Sequence, residues 1–251
     1  EFYAQDQWWE MATDVPTLDG GARGIFSGQS VPTGPSNTAQ IDAINIASQG
    51  NAFDFGDNSE ARRGGGQCAS RSRALLGGGF NDSSNRVPTI DYVTISSTGN
   101  AADFGDRTIS ANAVGAVSNQ TRGIFHTGVQ PSSSDVIDYV TIASTGNAKD
   151  FGNAINTNSN QSGMGSPTRG IFAGNGPDGN MEFITIPTLG NGTEFGNNLL
   201  DGRTELPGAG SNSTRGIYIG GEKQPAGSRL DRIQYITIPT LGTATDFGNL
   251  S

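Results

Sequence analysis

The chain has 251 residues, of which 38 are glycine, 33% are hydrophobic and 16% are charged; glycine runs at about twice its average usage, and the other two fractions fall below the globular norm. So few apolar residues cannot fill one thick core, which leaves a stack of thin units or disorder. A net charge of −9 and a pI near 4.5 leave nothing to neutralise phosphates, which argues against nucleic acid or anionic membrane as a partner, and no apolar run reaches the ~18 residues that membrane insertion requires.

The chain opens on Glu1 with neither the basic nor the apolar region of a signal peptide, which reads as a processed product or a piece of something longer. Residues 1–19 match nothing else in the sequence, yet Phe2, Tyr3, Trp8 and Trp9 place both tryptophans of the protein within nine residues. This N-terminal extension is expected either to supply a closing strand or to dock on a neighbouring copy or structural protein, with those four aromatics as the assembly candidates. If the fold closes on itself, its first small strand has to come from Trp9 to Gly21.

From residue 20 to 251 three blocks recur five times in the same order. The first starts at Arg23, Arg73, Arg122, Arg169 and Arg215, with gaps of 50, 49, 47 and 46 residues. About eighteen residues later comes a β-branched and aromatic block, clearest as Ile90 to Ile95 and Ile137 to Ile142, with copies at Ile41, Met181 and Ile233. The third is an acid, a phenylalanine and a glycine: Asp54-Phe55-Gly56, Asp103-Phe104-Gly105, Asp150-Phe151-Gly152, Glu194-Phe195-Gly196 and Asp246-Phe247-Gly248. Each block reads as a strand, and Gly-Asn pairs such as Gly99-Asn100 supply the turns between them. A small-residue stretch before each arginine, such as Val114 to Asn119, reads as an innermost strand. No window shows helical periodicity.

Four short strands in units of about 48 residues predict an all-β fold: a β-propeller of five four-stranded blades with repeats starting near residues 23, 73, 122, 169 and 215. The strand order resembles a degenerate kelch blade, with Phe where a kelch repeat closes on Trp. The wording of the unit, Arg-Gly-Ile-Phe followed by Ile-Asp-Tyr-Val-Thr-Ile-Ala-Ser-Thr-Gly-Asn-Ala-x-Asp-Phe-Gly, resembles repeats of virion and tail-fibre-like proteins of marine and cyanobacterial phages. The kelch resemblance covers residues 23–250, and the phage resemblance implies a virion or extracellular surface location.

A residue present in every unit serves the unit. The five arginines and the acids Asp54, Asp103, Asp150, Glu194 and Asp246 are therefore expected to form a ladder of ion pairs locking strands or blades. Phe55, Phe104, Phe151, Phe195 and Phe247 are expected to pack between blades. Asp-Phe-Gly also spells a kinase magnesium motif, but the kinase lysine strand and catalytic loop are missing and the motif occurs five times. Gly64-Gly65-Gly66 lacks the Lys-Ser or Lys-Thr of a phosphate loop. The oxygen-bearing clusters Asp54, Asp57, Asn58 and Asp178, Asn180 match no calcium-loop spacing, so no metal and no cofactor is expected. His126 reads as a surface variant of its strand and Cys68 as a buried filler.

Variation is left to the loops Gln29 to Gln40, Phe80 to Thr89, Val129 to Val136, Asn175 to Asn180 and Glu222 to Arg232, where Phe80 is the one aromatic platform a sugar could use. Without a nucleophile, base and metal constellation the chain is not expected to be an enzyme. The expectation is a structural and interaction protein, a tail or fibre-like virion component that meets copies of itself, neighbouring structural proteins and a host-surface glycan. A secreted self-assembling bacterial filament or cell-surface protein, and a carbohydrate-binding propeller, are the alternatives.

Overall fold

The computed structural model describes residues 2–4, 7–9, 23–29, 37–174, 179–196, 199–201, 204–205, 207–223 and 227–251. The fold is all-β, with no α-helix among these residues, and its small antiparallel sheets are arranged as a five-bladed β-propeller. Blade 2 holds Gly66–Ala69, Arg73–Gly77, Thr89–Thr94 and Ala102–Asp106, from the inner strand outward. Blade 3 comes next with Gly115–Ser118, Arg122–Val129, Ser133–Thr141 and Lys149–Asn158. Blade 4 is Ser162–Gly165, Arg169–Ala173, Met181–Thr185 and Thr193–Gly196, and blade 5 is Gly208–Ser211, Arg215–Ile219, Arg232–Thr237 and Thr245–Asn249. Blade 1 shows three strands, Arg23–Phe26, Gln40–Asn45 and Phe53–Asp57; the inner strand expected between Trp9 and Gly21 falls almost wholly outside the described residues.

At the N-terminus Phe2–Ala4 pairs with Gln7–Trp9 as a separate two-stranded hairpin, with Phe2 opposite Trp9 and Tyr3 opposite Trp8. It joins no blade sheet among the described strands.

Inner strands are built of small residues because neighbouring backbones nearly touch. A Cβ on Gly163 would strike the carbonyl of Ala116 in the blade before. Ser118 Oγ donates to Ala69 O at 2.7 Å and accepts from Ala69 N at 3.1 Å, and Ser211 does the same with Gly165.

The outer strand carries the same irregularity in every blade. In blade 2 Ile90 pairs with Gly105 but Asp91 pairs with Asp103, so Phe104 is an extra, unpaired residue. The same register shift occurs at Ile41/Asp42, Ile137/Asp138, Met181/Glu182 and Ile233/Gln234. Such a bulge re-aims a side chain, and here it turns the phenylalanine toward the next blade. Phe104 joins Leu75 and Ile90 of its own blade to Phe125, Val140 and Ile142 of the next. Phe55, Phe151 and Phe195 make the equivalent bridges. The propeller therefore has no single core; it has a series of small cores between blades, in each of which the bulged ring, worth about 1.5–3 kcal/mol when fully buried, packs among aliphatic residues of both blades.

Candidate functional site

The recurrent arginines of blades 1 to 4 all reach across the joints between blades. Arg23 Nη1 donates to Ile95 O at 2.6 Å, Arg73 to Ile142 O at 2.9 Å, Arg122 to Ile186 O at 2.8 Å and Arg169 to Ile238 O at 2.8 Å, each reaching into the next blade. From blade 2 onward the guanidinium also lies over the aromatic ring of its own third strand: Arg73 over Tyr92, Arg122 over Tyr139, Arg169 over Phe183 and Arg215 over Tyr235, at 4.4–5.0 Å. Those rings in turn meet the bulged phenylalanines edge-on, Tyr92 with Phe104 at 5.8 Å and Tyr139 with Phe151 at 6.0 Å.

This geometry corrects the expected ladder of ion pairs. Asp54, Asp103, Asp150, Glu194 and Asp246 are all exposed, and among the described residues none pairs with Arg23, Arg73, Arg122, Arg169 or Arg215. The reason is register. Arg73 opens the second strand opposite Thr94, whereas Asp103 lies two strands away, level with Asp91. Two of the exposed acids cap their own bulge instead: Asp103 Oδ1 accepts from Gly105 N at 3.1 Å and Asp246 Oδ1 from Gly248 N at 3.2 Å.

The glycine of the third block has a steric cause. Gly56, Gly105, Gly152 and Gly196 have φ of 139–149°, a conformation open mainly to glycine. A Cβ there would collide with Gly99, Gly146, Gly190 and Gly242 of the next blade. The same approach lets Gly99 N donate to Phe55 O at 2.7 Å, Gly146 N to Phe104 O at 2.7 Å, Gly190 N to Phe151 O at 3.0 Å and Gly242 N to Phe195 O at 3.2 Å.

A second set of acids, to which the sequence expectations give no role, occupies the middle of the third strand: Asp42, Asp91, Asp138 and Glu182, with Gln234 in blade 5. Four of the five clamp the segment arriving from the preceding blade. Asp91 accepts from Ser59 N and Oγ at 3.0 and 2.8 Å and pairs with Arg62 at 3.0 Å. Asp138 accepts from Thr108 N and Oγ1, both at 2.9 Å, and pairs with Arg107 at 3.2 Å. Glu182 accepts from Ile155 N at 2.9 Å, and Gln234 from Leu200 N at 2.7 Å. Arg62 and Arg107 are themselves buried, and burial, only partly offset by Asp138, draws Arg107 below the ordinary guanidinium range. An acid recurring at one place inside an apolar strand was the available signal.

His126 is buried, not a surface variant. It stacks on Phe172 with ring centroids 3.8 Å apart, and its Nε2 lies 2.9 Å from Glu182 Oε1. Burial pushes the Glu182 carboxyl up, but His126 and the Ile155 N–H outweigh it and hold the group below its ordinary value. Cys68 is half-buried between blades, and desolvation pushes its thiol up to about 12. With Arg23, Asp91 and Tyr92 it lines a cavity of about 210 Å³ between blades 1 and 2.

Among the described residues no group of three His, Cys, Asp or Glu side chains converges as metal ligands. Asn58 is held by Ala39 O, with its own Nδ2 donating at 3.0 Å; Asp178 lies outside the described residues, as do residues 30–36, 175–178 and 224–226 of the variable loops. Phe80, the ring a sugar would use, lies under two guanidiniums, Arg63 at 5.3 Å and Arg86 at 5.8 Å from its centroid. The side chains of Phe2, Tyr3, Trp8 and Trp9 likewise lie outside the described part of the structure. The chain matches no protein-family model and no curated protein.

Proposed function

We propose that the protein is a non-enzymatic structural and interaction module, a tail or fibre-like component of a virion surface that takes part in assembly and host attachment. The observation supporting this reading is the use of the recurrent side chains: arginine, bulged phenylalanine, glycine and buried acid all serve the blade-to-blade joint, and sequence variation is left to the connecting loops. A rigid scaffold with varied loops suits recognition, and its kelch-like, phage-like wording favours a surface setting. Immunogold labelling with an antibody against the chain tests the reading in material from its source. Label on the outside of particles or extracellular filaments is the expected result; label confined to the cell interior overturns it.

A further inference from the structure

The four joints define a two-sided contact, and both sides recur where the described residues give them no partner. The leading side is on blade 5. Phe247 is 57% exposed, although Phe55, Phe104, Phe151 and Phe195 are 1–3% exposed. Arg215, stacked on Tyr235 like its counterparts, donates to no carbonyl among the described residues. Ser251 stands four residues after Phe247, as Ser59 stands four after Phe55 and Thr108 four after Phe104. Leu250 N already donates to Asp231 O, the contact that Arg107 N makes with Pro88 O just ahead of Thr108.

The receiving side is on blade 1. Ile46 is 68% exposed, although Ile95, Ile142, Ile186 and Ile238 are at most 7% exposed. Phe26 is 47% exposed, whereas Phe125 and Phe172 at its position are fully buried. Among the described residues Asp42 has only glutamine side chains as donors, Gln40 at 2.7 Å and Gln29 at 3.4 Å, in place of the amide and hydroxyl that Asp91 and Asp138 hold. Gly50 N has no acceptor there corresponding to the phenylalanine carbonyls bound by Gly99, Gly146, Gly190 and Gly242.

We infer that blade 5 of one chain docks on blade 1 of a second copy, repeating the internal joint between molecules. Arg215 donates to Ile46 O of that copy, Gly50 N of that copy donates to Phe247 O, and Asp42 receives Ser251. The occupant is a second copy because, among the described residues, both halves of the joint stand uncovered on the same chain; a chain closing on itself would bury Phe247 and Phe26. Two different faces meeting head to tail make a heterologous contact, which propagates into a ring or filament. This deepens the structural reading above and rests on it.

The test uses the full chain and two one-sided variants, Phe247→Asp and Ile46→Asp, each checked for native circular dichroism and then measured by sedimentation velocity. Wild type is expected to self-associate and each variant to stay monomeric, its self-association weakened at least about tenfold. An equimolar mixture is expected to form a 1:1 dimer, because each variant retains the face that the other lacks. A mixture that stays monomeric, or variants that associate like wild type, overturns the proposal; a monomeric wild type destabilised by both changes shows closure within one chain and overturns it too. If either variant fails to fold, Arg215→Glu and Gly50→Pro give the same mixing test. Surface immunogold label with a failed mixing test removes only the joint, and interior label with a successful one removes only the surface reading.

Discussion

Arg122 reaches out of its own blade to give a hydrogen bond to the carbonyl of Ile186, 2.8 Å away and 64 residues later, while its guanidinium lies 5.0 Å from the Tyr139 ring centroid. One side chain thus orders its own blade and fastens the next. A hydrogen bond from a charged donor is worth about 1.5–3 kcal/mol and a stacked cation about 0.5–2 kcal/mol. Arg122→Ala is therefore expected to cost about 2–4 kcal/mol in urea unfolding. Arg215→Ala, which loses the stack alone, is expected to cost under about 1 kcal/mol in dilute monomer; equal losses would remove the special role of the joint.

The bulged phenylalanines sort the same way. Phe104→Ala empties the core between blades 2 and 3 and is expected to cost about 3–5 kcal/mol. Phe247→Ala removes a ring already in solvent and is expected to change monomer stability by under about 1 kcal/mol. Paired melts of the two variants at low concentration read the difference.

Asp138 is fully buried between Arg107 and Thr108. Asp138→Ala leaves a buried guanidinium uncompensated and is expected to cost about 3–5 kcal/mol. Asp103→Ala, at an exposed acid of the third block, is expected to stay within about 1 kcal/mol. The contrast between these acids, measured by denaturant titration, separates the buried clamp from the surface ladder that the repeat pattern suggests.

Glu182 gives the joint between blades 3 and 4 an acid sensitivity. Its folded value lies below the ordinary carboxylate value of 4.5, through His126 and the Ile155 amide and against burial. Its stabilising contribution is therefore complete above about pH 4.5 and is lost as pH falls through the depressed folded value. Glu182→Gln is expected to flatten the acid limb of the stability profile as pH falls below about 4.5. An unchanged acid limb would contradict the pairing.

Cys68 offers a probe of the cavity between blades 1 and 2. With its thiol pushed up to about 12, native protein is expected to react with a disulfide reagent at pH 8 at least about a hundredfold more slowly than unfolded protein, since the thiolate is the nucleophile. Equal rates would show the site open.

Much of this architecture can be read in the chain itself. A period near 48 residues, β-branched blocks and glycine-bounded turns give the strands and their order, because strand pattern is local. The packing of Phe55, Phe104, Phe151 and Phe195 can be inferred from their repetition. The partners of the arginines cannot, because they lie 64–72 residues away on backbone carbonyls, and a carbonyl leaves no mark in the sequence. Proximity in the motif makes Asp103 the obvious partner of an arginine, yet a bulge sends Phe104 inward and leaves Asp103 in water. Phe247 belongs to the motif but not to the core, because its burial requires a further blade packed against blade 5. His126 is hidden by being unique to one blade.

The measurement that tests the central claim most directly is the weight-average mass of the wild-type chain by light scattering over a hundredfold range of concentration. Blades 5 and 1 presented as matching halves of a joint give a mass that climbs with concentration through multiples of 25.9 kDa. A mass fixed at 25.9 kDa across the whole range would contradict the account.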